Sequence, residues 1–536
     1  MGSFTILIQK LKKKLFSTEE RPSEPARPTP RPKELISAKP AETDAPKPAL
    51  SQPDKPKGTI ASEHGVAIPP ETSISQPGRD TAISPGEPTP ERIKPYFVQI
   101  GFDFGTSYSK CICRDVVIDK AWVYLHPLSE KEELPFLIPG ALSFRDEVLR
   151  HVENQKTQYP DNGLYHIKHA LVKVAMEEWD NPVLGVYQNA NGQSDLKHLP
   201  RFVENCAIYY LAGALGEIRK SVRQRLPGFG ALPTDYMAVN LAVPVADAQR
   251  PNVNDLYHRV LSEAWCLADK LAGHPPLHLS EIEKLRKENH VNEGGFLRDD
   301  CTIYPEVSAN VQGFVRSRVS MPGMYFFSDT GAGTVDQSIF IFAREEGNEK
   351  LIYLHGSVLP LGSSHIEQKA ADISGTTDHQ SLESWRKRKE QGGEEPELRR
   401  AREWIDGQLG QKTESTIAYA REKLYVKDQI GEIRVIFGGG GHCDYPYKTA
   451  ALRPFSGHLF RKAVNPDVIG LPIPRDLELK ESEYRWMNRL NVAYGLSFVK
   501  SELAGFIYPN DVPIPQPADI WQPRKKLPDP ISKDVC

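Results

Sequence analysis

Residues Tyr96–Val117 read YFVQIGFDFGTSYSKCICRDVV, and residues Tyr325–Phe342 read YFFSDTGAGTVDQSIFIF. In the first stretch Val98, Ile100 and Phe102 alternate with the residues between them, which is the period of a strand. Gly105-Thr106-Ser107 is a run of small residues that turns the chain, and Lys110–Val117 returns as a second strand. Asp103 stands where the first strand runs into the turn. The second stretch repeats the device: a strand ending in Asp329, the turn TGAGT, and a strand VDQSIFIF. Two such hairpins, roughly 225 residues apart, predict an α/β chain with an internally duplicated, two-lobe fold.

The turns also predict a chemistry. A tight Gly/Thr/Ser turn presents backbone N–H groups and hydroxyls to a phosphate chain. An Asp beside it can hold the water shell of a magnesium ion, which prefers oxygen and gives up its waters reluctantly. Two facing hairpins would clamp a nucleotide in a cleft between lobes. One Asp-x-Gly-Thr turn is common. Two of them, followed by a strand at Arg434–Phe437 that ends in Gly438-Gly439-Gly440-Gly441, are far more specific. Met237–Pro244 reads as a buried strand, followed by a helix from Ala246 to about Leu271, and Leu490–Leu503 reads as a last apolar helix. Arg386–Arg400 reads as a solvated charged insert, and Trp122–Tyr165 carries no readable motif.

Of the 45 prolines in 536 residues, 17 fall in residues 21–95, and Ser17–Pro95 holds no Phe, Trp or Tyr. Such a segment cannot bury enough apolar surface to offset an ordering cost of about 1–2 kcal/mol per residue. Residues 17–95 are therefore expected to be a disordered Pro-rich tether, leaving about 440 residues to fold. Residues 508–536 are again Pro-rich and read as a loose tail. In Met1–Phe16, Phe4, Leu7, Ile8, Leu11 and Leu15 share one helical face and four lysines cover much of the rest. The charges follow the apolar residues, the reverse of a signal peptide, and Ile6 breaks the myristoylation pattern. This basic amphipathic helix suits a membrane surface or a partner's groove.

The formal net charge is -3, and residues 1–95 carry +3 of it, so the folded part stands near -6. No basic field covers it, and nucleic acid is not an expected partner. Seven scattered cysteines have neither metal-ligand spacing nor a disulfide framework. Cys111 and Cys113, two apart on a strand, share a face. With no run long enough to span a membrane, a cytoplasmic protein, peripheral at most, is the expectation. His166, His169, His355 and His365 form no metal constellation by spacing.

These residues resemble the actin-like ATPase superfamily and, within it, the DnaK-like heat-shock seventy-kilodalton chaperones. Asp103–Ser107 is similar to the first phosphate motif and Asp329–Asp336 to the second, with Ala332 in place of a usual glycine. Val243–Arg250 (VPVADAQR) resembles the branch's strand-to-helix signature. Ile167–Leu171 resembles the segment carrying the catalytic lysine, Glu306–Ala309 a hinge segment, Leu361–Ser364 a turn, Phe437–Pro446 the adenosine motif and Ala493–Leu496 the closing hinge helix. The matches run in family order over about residues 96–507, implying lobe I over 96–320 and lobe II over 321–507. Only about 30 residues remain for the family's peptide-binding domain, so the resemblance is to a divergent member without it.

The resemblance implies ATP and Mg2+ as ligands. Asp103 and Asp329 would hold the hydrated ion, and Lys168 and Glu306 would join them in catalysis. Gly105, Thr106, Ser107, Tyr108, Gly331, Ala332, Gly333, Thr334, Gly362 and Ser363 would face the phosphates. Gly438–Gly441, His442 and Arg421 would face the adenosine. Asp336 would be structural at the base of its hairpin or face the ion. The implied activity is slow ATP hydrolysis that switches conformation and is read by a protein partner or client. An ATP-gated filament and a small-molecule kinase are the alternatives on the same fold.

Because nothing in residues 17–95 can enter a core, deleting residues 1–95 should leave the melting temperature of the folded part nearly unchanged. A drop of many degrees in a calorimetric scan would mean that the amphipathic helix packs on the body.

Overall fold

Strands β1 (Phe97–Asp103) and β2 (Tyr108–Asp115) form the first hairpin, with Asp103 paired to Lys110 at its mouth. The computed structural model describes residues 94–515, apart from 128–131, 153–158, 161, 191, 193–196, 244–249, 290–297, 318–319, 346–347, 425–426, 458 and 461–462. The helix expected over 1–16, the tether up to residue 93, Pro244–Gln249 of the VPVADAQR segment and the tail beyond 515 lie outside the described residues. Cys111 and Cys113 are both buried, their sulfurs 3.9 Å apart on one face of β2.

The hairpin continues antiparallel into β3 (Lys120–Val123). On its other side β4 (Tyr236–Val243) runs parallel to β1, and β5 (Cys301–Pro305) parallel to β4. The path is β5-β4-β1-β2-β3. The second hairpin, β6 (Gly323–Thr330) and β7 (Val335–Glu345), continues into β8 (Asn348–Leu359), and β9 (Arg434–Gly438) and β10 (Asp467–Ile469) add parallel to β6. The path is β10-β9-β6-β7-β8. Order and direction are the same in both sheets, which is the repeat the two hairpins predict.

Helices α1 (Ile167–Ala175), α2 (Pro182–Ala190), α3 (Leu199–Arg225) and α4 (Pro251–Leu271) serve the first sheet, and their apolar faces join it in one core. A short α5 (Glu306–Asn310) continues directly from β5. On the second sheet lie α6 (Ser364–Ser374), α7 (His379–Glu390) and α8 (Pro396–Glu422). Leu398, Ala401, Ile405 and Leu409 of α8 recur at helical spacing and pack on Ile366 and Ala370 of α6. Most of Arg386–Arg400 is exposed, as expected, but Arg386 and Leu398 are buried. The stretch spans parts of two helices, and buried Arg386 is neutralised from its own helix by Glu383 and by Glu390 at 2.9 Å.

The chain then returns to the first sheet. Leu477–Glu478 pairs with β3, and α9 (Met487–Leu496) packs Leu490, Ala493 and Tyr494 against Ile112 and Ala121. The last helix was expected over Leu490–Leu503. It starts three residues earlier and stops at Leu496, because Phe498 leaves the helical path to lie between the guanidiniums of Arg114 and Arg316, each 3.8 Å from its ring centroid. Gly505–Ile507, just before the expected tail, adds to the edge of β8, and the first part of the tail is packed as well: Pro509 is buried and its carbonyl accepts from Lys423. Among the described residues no helix is long and apolar enough to cross a membrane.

Close approach fixes α9. A Cβ on Gly101 of β1 would meet the Ala493 carbonyl, and one on Gly495 would meet the Ala309 carbonyl of α5. Gly495→Ala should therefore cost about 1–3 kcal/mol by overpacking, despite alanine's better helix propensity. Gly185→Ala on α2, where a Cβ meets nothing, should be neutral or slightly stabilising. Denaturant unfolding of the two variants checks the contrast.

Candidate functional site

Each turn is held by its own strap. A Cβ on Gly105 would run into the Tyr108 carbonyl, and the Gly140 N–H donates to the Ser107 carbonyl at 2.7 Å. The second turn closes on itself through the Gly331 N–H and Thr334 carbonyl at 2.9 Å. The start of α6 then ties it down. The N–H groups of Gly362, Ser363 and Ser364 donate to the carbonyls of Gly333, Gly331 and Ala332, and Ser364 Oγ donates to Ala332 at 2.7 Å.

The two turns touch. A Cβ on Gly333 would collide with the His169 ring and lie 2.8 Å from the Thr106 methyl carbon. Thr106 Oγ1 in turn lies 3.4 Å from His169 Nε2. Only glycine at position 333 lets the hairpins of the two sheets meet.

Below this seam sit four carboxylates, Asp103, Glu306, Asp329 and Asp336, each less than a tenth exposed. Lys168, from α1, donates to Glu306 Oε2 at 2.8 Å, and Lys110 donates to Asp103 Oδ2 at 2.7 Å. Asn310 donates to Asp329, and Thr334 to Asp336 at 3.2 Å. Burial, reinforced by repulsion from Glu306 and Asp103, pushes Asp329 up to about 7. Asp336 is pushed up by burial and then by Glu306. Burial alone would lower Lys168, but Glu306, Asp103 and Asp336 outweigh it and hold the ammonium above its ordinary value. Asp336 Oδ1 and Asn310 Oδ1 are buried without a hydrogen-bond partner. Four acids face two lysines on the floor of the cleft, and two of the acids, Asp329 and Asp336, are disposed to keep their protons.

Asp103, Gly105, Thr106, Ser107, Tyr108, Lys168, Glu306, Asp329, Gly331, Ala332, Thr334, Ser363, Gly439, Gly440 and Gly441 line one cleft. Asp336, expected at the hairpin base, lines it too. Gly333, Gly362 and Gly438 stand behind it, and the absence of a side chain there permits close packing. Two expected adenosine contacts do not reach it. The His442 ring is turned onto the Gly438 carbonyl at 3.0 Å and stacks on Phe437. Arg421, on α8, donates to the Leu459 carbonyl at 2.9 Å.

Other groups line the cleft that were not expected there. Lys389 donates to the Ser363 carbonyl at 2.8 Å and to Glu367 at 2.5 Å, and Asn488 and Arg489 from α9 also line the cleft. Lys389 had been hidden in a run of charges. Its signal was the helical spacing of Leu382, Trp385 and Lys389, which puts the lysine on the inward face of α7. Among the described residues no group of three or more His, Cys, Asp or Glu side chains is placed to hold a metal ion.

No family model and no curated protein matches this chain.

The raised Asp329 carboxyl has a consequence with a definite sign. Between its unfolded value near 4 and about 7 the native state binds the extra proton, so stability falls as pH rises through that window. Asp329→Asn removes the penalty. Without divalent ions the variant should gain on the parent between about pH 4 and 7, by on the order of 1–3 kcal/mol at the upper end. Parallel thermal melts across that range check it; a constant difference would mean that Asp329 is ionised throughout.

Proposed function

We propose that this chain is a magnesium-dependent ATP-binding and slowly hydrolysing switch, built on a duplicated two-lobe fold of the actin-like kind. The observation that carries the reading is the seam: two Gly/Thr turns from sheets of like topology meet above a buried Lys168–Glu306 pair, with Asp103 and Asp329 at their bases. Polyphosphate binding needs N–H groups, hydroxyls and a cation, and the turns with Thr106, Ser107, Thr334 and Lys168 are the candidates to supply them.

In this reading the turn amides and the hydroxyls of Thr106, Ser107 and Thr334 hold the phosphates. The floor fits a hydrated divalent cation. Its acids are in excess, Asp336 Oδ1 has no partner, and ligation through water needs no close triad of donors. Asp103, Asp329 and Asp336 would hold it through its waters, and its charge would neutralise the phosphate oxygens. Lys168, pinned by Glu306, stays charged and stabilises negative charge that grows on the transferred group. A carboxylate of the floor orients the attacking water. The adenosine end would rest on Gly439–Gly441, with Asn488 and Arg489 beside it.

Glu306 also begins α5, whose Ala309 carbonyl abuts Gly495 of α9. What changes at the phosphates thus reaches a helix packed on the first sheet, the route by which a protein partner would read the nucleotide state.

Calorimetric titration of the full chain should show heat from ATP and not from GTP, lost without magnesium. Lys168→Ala should still bind ATP but hydrolyse it at least about tenfold more slowly, ~1.4 kcal/mol of transition-state stabilisation. Asp103→Asn should keep its fold and lose magnesium-dependent turnover. Gly105→Val should fail to bind, because the new side chain meets the Tyr108 carbonyl inside the turn. Parent-like turnover in folded Asp103→Asn and Gly105→Val proteins would refute the assignment.

A further inference from the structure

Behind the seam lies a second cavity of about 760 Å³, the size of a small-molecule site. It is walled by α1 and α2 on one side and by α6 and the start of α7 on the other, and Gly333 and Thr334 form its inner end. The seam of Thr106, His169 and Gly333 separates it from the phosphate cleft. Thr334 borders both spaces, and no other side chain of this lining has a role in the preceding mechanism.

We propose that this cavity binds a small hydroxylated organic anion. Three imidazoles that no sequence spacing connected, His166, His169 and His365, converge on it. His166 takes a left-handed backbone, φ 59° and ψ 37°, and its side chain makes no capping bond to α1. A non-glycine residue held there carries strain that the surrounding structure must maintain. The Nδ1 atom of His365 is buried without a hydrogen-bond partner.

Burial holds all three rings below their ordinary range, His166 at about 4, so at neutral pH each is an uncharged donor and acceptor. With the amides of Asn181 and Gln368, they present the groups that hydroxyls bond. Val172, Met176 and Val186 supply apolar wall for a carbon skeleton. The charged lining is Lys173 and Arg250 against Asp372. Lys173 is shared with Glu178 at 2.8 Å, while Arg250 and Asp372 are both exposed. With Lys173 spent on Glu178, Arg250 is the anchor for an anionic group, because a guanidinium grips phosphate or carboxylate through two parallel bonds.

The inference does not depend on the nucleotide reading, and its test keeps the two apart. The full chain is titrated calorimetrically with glycerol 3-phosphate and, separately, with citrate, without nucleotide. One of them should bind saturably, and which one tells whether phosphate or carboxylate is the anionic group. Arg250→Gln should weaken that binding roughly tenfold or more. His365→Phe keeps a ring and removes both nitrogens, and should weaken it too, with the melting temperature of both variants near the parent's. Lys168→Ala should leave it unchanged. No saturable binding of either probe, equal binding in Arg250→Gln and His365→Phe, or binding lost in Lys168→Ala would overturn the proposal. Probe binding in a chain that ignores ATP would sink the nucleotide reading and leave this site standing.

Discussion

The Lys168–Glu306 ion pair is the contact around which the cleft is organised. Both partners are buried, and burying a lone ammonium or carboxylate costs several kcal/mol, so each is tenable only beside the other. Lys168 comes from α1 and Glu306 from the junction of β5 and α5, so the pair fixes two elements that are far apart in sequence. Glu306, Asp103 and Asp336 keep the lysine charged, and burial, reinforced by Glu306 and Asp103, keeps Asp329 reluctant to ionise. A site built this way attracts cations and tolerates polyanions only with them.

Glycine at three points makes the geometry possible, each through closeness of approach. Gly333 lets the hairpins of the two sheets touch, and Gly101 and Gly495 let α9 lie against β1 and α5. The path from Glu306 through Ala309 to Gly495 is therefore one of backbone contacts, where small movements are transmitted rather than absorbed by side chains.

The hairpins were legible because strand period and small turn residues are local signals, and the repeat of strand order in both sheets follows from them. Lys168 and Glu306 were legible only through resemblance, since nothing in their spacing says that they meet. Arg421 and His442 were expected at adenosine and point elsewhere, because local pattern does not set side-chain direction across a sheet. Arg386–Arg400 is largely exposed, as its charges suggest, but Arg386 and Lys389 are satisfied within α7 and by Glu367 of α6, which composition cannot reveal. The three histidines of the second cavity lie in two segments nearly 200 residues apart, and only the fold, which sets α1 across the cavity from α6, unites them.

The central claim is that both turns grip one nucleotide. Backbone hydrogen exchange of the full chain, with and without magnesium and ATP, reads both turns in one experiment. The account predicts that amides of Gly105–Ser107 and of Ala332–Thr334 slow together when ATP and magnesium are present, and not with either alone. Protection confined to one turn, or to neither, would contradict it.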